Sequence, residues 1–96
     1  MDRKLSSAIK IAKEKGMNWE SLEISKVSGK RFSIRSPSGK LINFGQWPLV
    51  NGTFLDHSNE QVRTAWRARH KKILKDGKPA YLNPESPEYY SWNLLW

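Results

Sequence analysis

The densest chemistry in this sequence is a ladder of cations. Arg63, Arg67, Lys71 and Lys75 recur every four residues, with no acid between them on that face. Residues four apart on a helix lie one above the other, so the ladder predicts a positive stripe suited to phosphates or to an acidic protein surface. Like charges at this spacing cost an isolated helix about 0.2–0.5 kcal/mol per pair. That cost weighs against a merely solvated face and toward a bound anionic partner. Arg69 falls beside the apolar side of the same segment. Its stem is expected to pack on Trp66 or Ile73 while its guanidinium reaches a carboxylate or a carbonyl. Arg31 and Arg35 form a second basic set two strand-turns apart, on what alternation makes the polar face of a sheet.

The ladder requires a helix, and the stretch from Asp56 to Gly77 predicts one. Ser58 reads as its N-cap and Gln61 completes a capping box. Asp56 and Glu60 set negative charge at the positive end of the dipole, Lys75 lies in the last turn, and Gly77 supplies a left-handed stop. Val62, Trp66 and Ile73, with Ala65 at the edge, form the stripe expected to face the protein. A first helix is predicted over 2–15, with Asp2 as cap and Gly16 as stop. Its face of Leu5, Ala8, Ile9 and Ala12 is weak, so residues 1–16 read as a peripheral or mobile helix.

Between the helices the hydrophobic period changes to two. Leu22 and Ile24, Phe32 and Ile34, and Ile42 and Phe44 alternate with polar residues, which predicts a three-stranded antiparallel meander. The turn Ser36-Pro37-Ser38-Gly39-Lys40 suits a type I turn followed by a left-handed glycine. It sets Ile34 opposite Ile42 and Phe32 opposite Phe44. In-phase pairing of the first hairpin places Ile24 opposite Ile34 and Glu23 opposite Arg35. Residues 45–57 read as an apolar connecting loop that packs down. Ser86-Pro87-Glu88 reads as the cap, first residue and dipole-matched acid of a short terminal helix. The fold class is therefore α+β: an N-terminal helix, a three-stranded antiparallel meander, a long basic helix and a short aromatic C-terminal helix, in one domain spanning 1–96.

Five of the eleven aromatic residues lie between Tyr81 and Trp96. Tyr89, Tyr90, Trp92 and Trp96 either complete a core that the small sheet cannot close or form a docking patch for a larger protein. Enzymatic chemistry has no foothold. The chain has no cysteine, so disulfides, zinc–thiolate sites and thiol catalysis are excluded. His57 and His70 make no metal spacing with another ligand, and no phosphate loop, nucleophile motif or acid–base carboxylate pair is evident. No cofactor is expected. Seventeen basic residues against nine acidic ones leave a formal charge of +8, which favours nucleic acid or an acidic protein face as partner. No apolar run reaches the length of a membrane span, and no signal segment follows Met1, so an intracellular, non-secreted protein is expected.

Several stretches resemble a small uncharacterised basic protein family of the large DNA viruses of algae and amoebae, the nucleocytoplasmic large DNA viruses. They are Ser36-Pro37-Ser38-Gly39-Lys40 with Ile42-Asn43-Phe44-Gly45, then Asp56, Arg63 and Ala68-Arg69-His70-Lys71-Lys72, and finally Trp92, Leu94, Leu95 and Trp96. The resemblance covers about the C-terminal two-thirds; residues 1–25 lie outside it, and the segment Asn83-Pro84-Glu85-Ser86-Pro87 departs from the family's pattern. It implies a virion, or the host cytoplasm or nucleus during infection, and no established activity. Together with the residues it leads to the expectation of a non-enzymatic minor virion protein, docking on larger virion proteins through the aromatic tail and the basic helix. The alternative is a nucleic-acid-binding protein that contacts DNA or RNA phosphates through the basic helix and the basic sheet face.

Overall fold

The computed structural model describes residues 3–96. Helix α1 runs Leu5–Glu14 and stops at Gly16, whose φ is +69°; the expected Asp2 cap lies outside the described residues. Ala8 and Ala12 are fully buried, so α1 is seated in the core through its smallest side chains. After a 3₁₀ turn at Trp19–Ser21 come strands β1 (Glu23–Ile24), β2 (Lys30–Arg35) and β3 (Leu41–Gln46), an antiparallel sheet in the order β1-β2-β3.

The β2–β3 register pairs Phe32 with Phe44 and Ile34 with Ile42, as the turn chemistry predicts. The Gly39 N–H donates to the Ser36 carbonyl at 2.9 Å, and the Ser36 N–H donates to the Lys40 carbonyl at 2.9 Å. Gly39 has φ +88°, the left-handed residue that such a loop requires. The first hairpin differs from its expected register. Glu23 pairs with Ser33 and Ile24 with Phe32, a two-residue slip that keeps every side chain on its face. The cause is local: a turn over residues 27–30, closed by the Lys30 N–H to the Val27 carbonyl, puts Gly29 at φ +84° and sets the hairpin tip one residue early. Leu22, rather than Ile24, consequently supplies the buried residue of this edge.

The predicted loop over 45–57 is more ordered in kind than a loop. β3 continues through Gly45 to Gln46, and Phe54–His57 forms a single helical turn, α2. Helix α3 is Glu60–His70, shorter at both ends than the predicted 56–77 segment. Its cap is Asn59, whose Oδ1 accepts from the N–H groups of Gln61 and Val62. Ser58, the expected cap, has φ +55° and ends α2 instead. Beyond α3, Leu74–Lys75 (β4) and Lys78–Pro79 (β5) form a small antiparallel hairpin. Asp76 and Gly77 at its tip both have positive φ, 54° and 78°, the geometry of a two-residue primed turn. Gly77 is therefore a hairpin residue and not a helix stop.

A 3₁₀ turn at Ala80–Leu82 leads to α4 (Pro87–Tyr90), capped by the Ser86 hydroxyl accepting from the Glu88 N–H, and a π-helical turn continues over Ser91–Leu95. This tail closes the core. Tyr90, Leu94 and Leu95 are buried against Phe32, Ile34, Ile42 and Phe44. The Phe44 ring lies 5.9 Å from Phe32 and 5.8 Å from Tyr90. Among the described residues no helix is long and apolar enough to cross a membrane.

Candidate anion-binding surfaces

Arg31 is not available to an external anion. It is fully buried, and its guanidinium holds Asp56 through two bonds of 2.8 Å each, while Nε and Nη2 donate to the Arg3 carbonyl at 3.1 and 2.8 Å. Asp56 also accepts the Thr53 N–H at 2.7 Å and the Thr53 hydroxyl at 2.8 Å. Burial pushes the Asp56 carboxyl up, but the Arg31 hydrogen bond, the two Thr53 bonds and the Arg31 charge outweigh it, and its pKa falls to about 2. The expectation that Asp56 stands at the start of the long basic helix is therefore corrected: it lies in the first turn of α2, where it completes a capping box with Thr53, and it is the counter-ion of a buried arginine. Gly45 makes room for this pair. A Cβ there would stand 2.9 Å from the Arg31 Cβ and 2.9 Å from the Leu95 Cδ1, and its φ is +79°. Arg35, by contrast, is exposed, with one guanidinium donor spent on the Gly39 carbonyl at 3.1 Å.

The cationic ladder splits into an inner and an outer half. Arg63 pairs with Glu60 and lies 4.2 Å over the Phe54 ring. Arg67 lies 4.9 Å over the Trp92 ring and reaches the Trp92 carbonyl at 3.4 Å, and its Nε is enclosed without a partner among the described residues. Both are half-buried, whereas Val62, expected to face the core, is 41% exposed, and Ile73 is 43% exposed. The expected inner and outer faces of α3 are thus largely exchanged. The reason is ring faces supplied by other elements: Phe54 of α2 under Arg63 and Trp92 of the tail under Arg67, and arginine stems tolerate such burial. Trp66 alone among the predicted apolar stripe is held, sandwiched by Trp96 at 4.7 Å and His70 at 3.8 Å, nearly parallel to both.

The outer half lies past the end of α3. Lys71 and Lys72 are exposed and make no side-chain hydrogen bond among the described residues. Lys75 is in β4, where its Nζ donates to the Glu85 carbonyl at 2.9 Å, and it sits directly across from Lys78. Arg69 is exposed, and its guanidinium meets neither a carboxylate nor a carbonyl among the described residues, so the bond expected for it is not seen. The sequence does carry the signal for this hairpin, since Asp-Gly between two short extended pieces is a strong primed-turn pattern. The same glycine also fits a helix stop, and that competing reading hid Lys78 as a partner of Lys75.

Of the tail's aromatic residues Tyr90 is interior, while Tyr81, Tyr89, Trp92 and Trp96 are half-buried. Tyr90 is 3% exposed and its hydroxyl donates to the Pro84 carbonyl at 2.8 Å; burial, with Tyr89 and Glu85 nearby, pushes its pKa up to about 12. Tyr89 packs edge-on against Tyr90, Trp92 stacks on Tyr81 at 4.2 Å, and Trp96 stacks on Trp66. Its rings are spent on one another. His70 pairs through Nδ1 with Glu88, and His57 Nδ1 accepts the Asn59 N–H at 2.9 Å. No group of three or more metal-ligating side chains stands together among the described residues. Comparison with family models, with curated proteins and with solved structures finds no match to this chain.

Proposed function

We propose that this protein is a non-enzymatic nucleic-acid-binding module of a viral assembly, contacting phosphates through the end of α3 and the β4–β5 hairpin. The observation that carries this reading is the direct cross-strand pairing of Lys75 with Lys78, next to the exposed Lys71 and Lys72. Like charges directly opposite each other destabilise a strand pair. Over residues 69–78, Arg69, Lys71, Lys72, Lys75 and Lys78 face a single acid, Asp76. A phosphate backbone relieves that repulsion and releases its own counter-ions on binding. The burial of Tyr90 and the stacking of Trp92 on Tyr81 and of Trp96 on Trp66 argue against the tail as a free docking patch and rank the protein-docking reading second.

The test is the salt dependence of binding to a short DNA duplex. Replacing Lys71, Lys72 and Lys78 with Gln should leave the fold intact, because all three are exposed. It should make the slope of log K against log salt shallower by ~0.9 for each phosphate left unneutralised, or about 2–3 in total. Binding that is absent at low salt, or a slope that does not move, rejects the reading.

A further inference from the structure

Lys15, at the end of α1, comes from far away in the sequence to stand beside Arg63 and Arg67. The three line a cleft of about 320 Å³ whose walls include Ile11, Phe54 and Leu94. No acidic side chain among the described residues lines it. Glu60 meets Arg63 from an exposed position outside the lining. Lys15 spends one proton on the Asn93 carbonyl at 2.6 Å, Arg63 one guanidinium donor on Glu60 and Arg67 one on the Trp92 carbonyl, so each keeps further donors. Burial lowers the pKa of Lys15, and the charges of Arg67 and Arg63 lower it further. Burial and then Arg63 likewise lower that of Arg67, with Glu60 opposing. Three mutually repelling cations with spare donors, set over an apolar floor, are an incomplete electrostatic arrangement. A solvated surface needs no such floor, and a packed core needs no such charge.

We propose that this cleft binds a small amphipathic anion, a carboxylate or phosphate head carried on one apolar ring or a medium-length alkyl chain. The head accepts from Lys15, Arg63 and Arg67, and the apolar body lies against Ile11, Phe54 and Leu94. A volume near the lower end of ligand pockets suits a molecule of that size. The site uses Arg63 and Arg67, which the phosphate-binding surface proposed above does not, so the two stand or fall separately.

The experiment is calorimetric titration of the full chain with octanoate, octyl phosphate, octanol and inorganic phosphate, with methyl NMR shifts to locate the site. Saturable single-site binding is expected for octanoate or octyl phosphate, with shifts at Ile11 and Leu94; the better of the two identifies the head group. Octanol and inorganic phosphate should each bind at least about tenfold more weakly, because each lacks one half of the recognition. Lys15→Gln and Arg63→Gln, separately, should each weaken binding by about tenfold, since each removes a charge-assisted hydrogen bond. Lys26→Gln, an exposed charge remote from the lining, should not. Lys15 sits at a helix end with much of its side chain in solvent and its ammonium partly enclosed by the cleft, so its substitution should not unfold the chain, which circular dichroism will verify. Equal binding of octanol overturns the role of the cations, equal binding of inorganic phosphate overturns the role of the apolar walls, and no saturable binding of any probe overturns the site.

Discussion

At the scale of single residues, the Arg31–Asp56 pair is the most consequential contact. Arg31 is fully buried, so removing its counter-ion leaves a charge with nowhere to go. Asp56→Asn should destabilise the fold by about 3–5 kcal/mol, the usual cost of orphaning a buried ion. It should also change the acid limb of stability. The Asp56 pKa is lowered on folding from 3.8 to about 2. Its contribution is therefore complete above pH 4 and disappears as pH falls through 2, because the unfolded chain takes up the proton first. Denaturant midpoints measured across that range should fall less steeply in the Asn variant than in the native chain. Gly45 belongs to the same unit. Gly45→Ala forces a Cβ against Arg31 and Leu95 at positive φ, whereas Gly39→Ala meets nothing within 4 Å and carries the backbone strain alone. Overpacking should make the first costlier than the second by about 1–3 kcal/mol, read from their chemical melts.

At the scale of elements, short segments here are set by their caps and turns. The Asn59 side chain accepts twice at the start of α3, while Ser58 sits at φ +55° with no capping bond of its own in that helix. Asn59→Ala should cost about 1 kcal/mol, and Ser58→Gly should cost nothing or stabilise slightly, since it relieves a left-handed residue. Equal losses from the two would restore Ser58 as the cap. The Ser36–Lys40 turn is fastened from outside as well as from within. Glu85 accepts from the Ser36 hydroxyl at 2.7 Å, from the Ser38 hydroxyl and from the Ser38 N–H at 3.2 Å, and those bonds, the Ser38 hydroxyl first, hold its pKa down. A loop near the end of the chain thereby clasps a hairpin near its middle.

At the scale of the whole molecule, the C-terminal tail turns a one-sided sheet into a closed core. The sheet offers Phe32, Ile34, Ile42 and Phe44 on one face, and α1 covers them with two alanines and partly buried neighbours. Tyr90, Leu94 and Leu95 supply the remaining volume. Deleting residues 88–96 removes these three together with Trp92 and Trp96, on which Arg67 and Trp66 stack. The truncated chain should lose cooperative unfolding and expose apolar surface to a dye such as ANS, the signature of a compact state without fixed packing. Retention of the native melting transition would return the tail to the role of a free docking element.

The features legible in the sequence are those that short-range physics decides. The β2–β3 register follows from a five-residue turn between alternating strands, and the start of α4 follows from Ser86, Pro87 and Glu88 in succession. Even the unread β4–β5 hairpin lay within reach, in the pair Asp76-Gly77. What tertiary structure alone decided is the fate of the arginines. Alternation assigned Arg31 to a polar face, but Asp56, Thr53 and Gly45 arrive from other elements to bury it. Helical spacing assigned Arg63 and Arg67 to an outer face, yet the rings of Phe54 and Trp92 draw them into a cleft, against the repulsion of Lys15 beside them. An arginine has a long apolar stem and a weakly hydrated head, so it is stable in water or against a ring alike. Which of the two it meets depends on residues far along the chain, and periodicity holds no record of them.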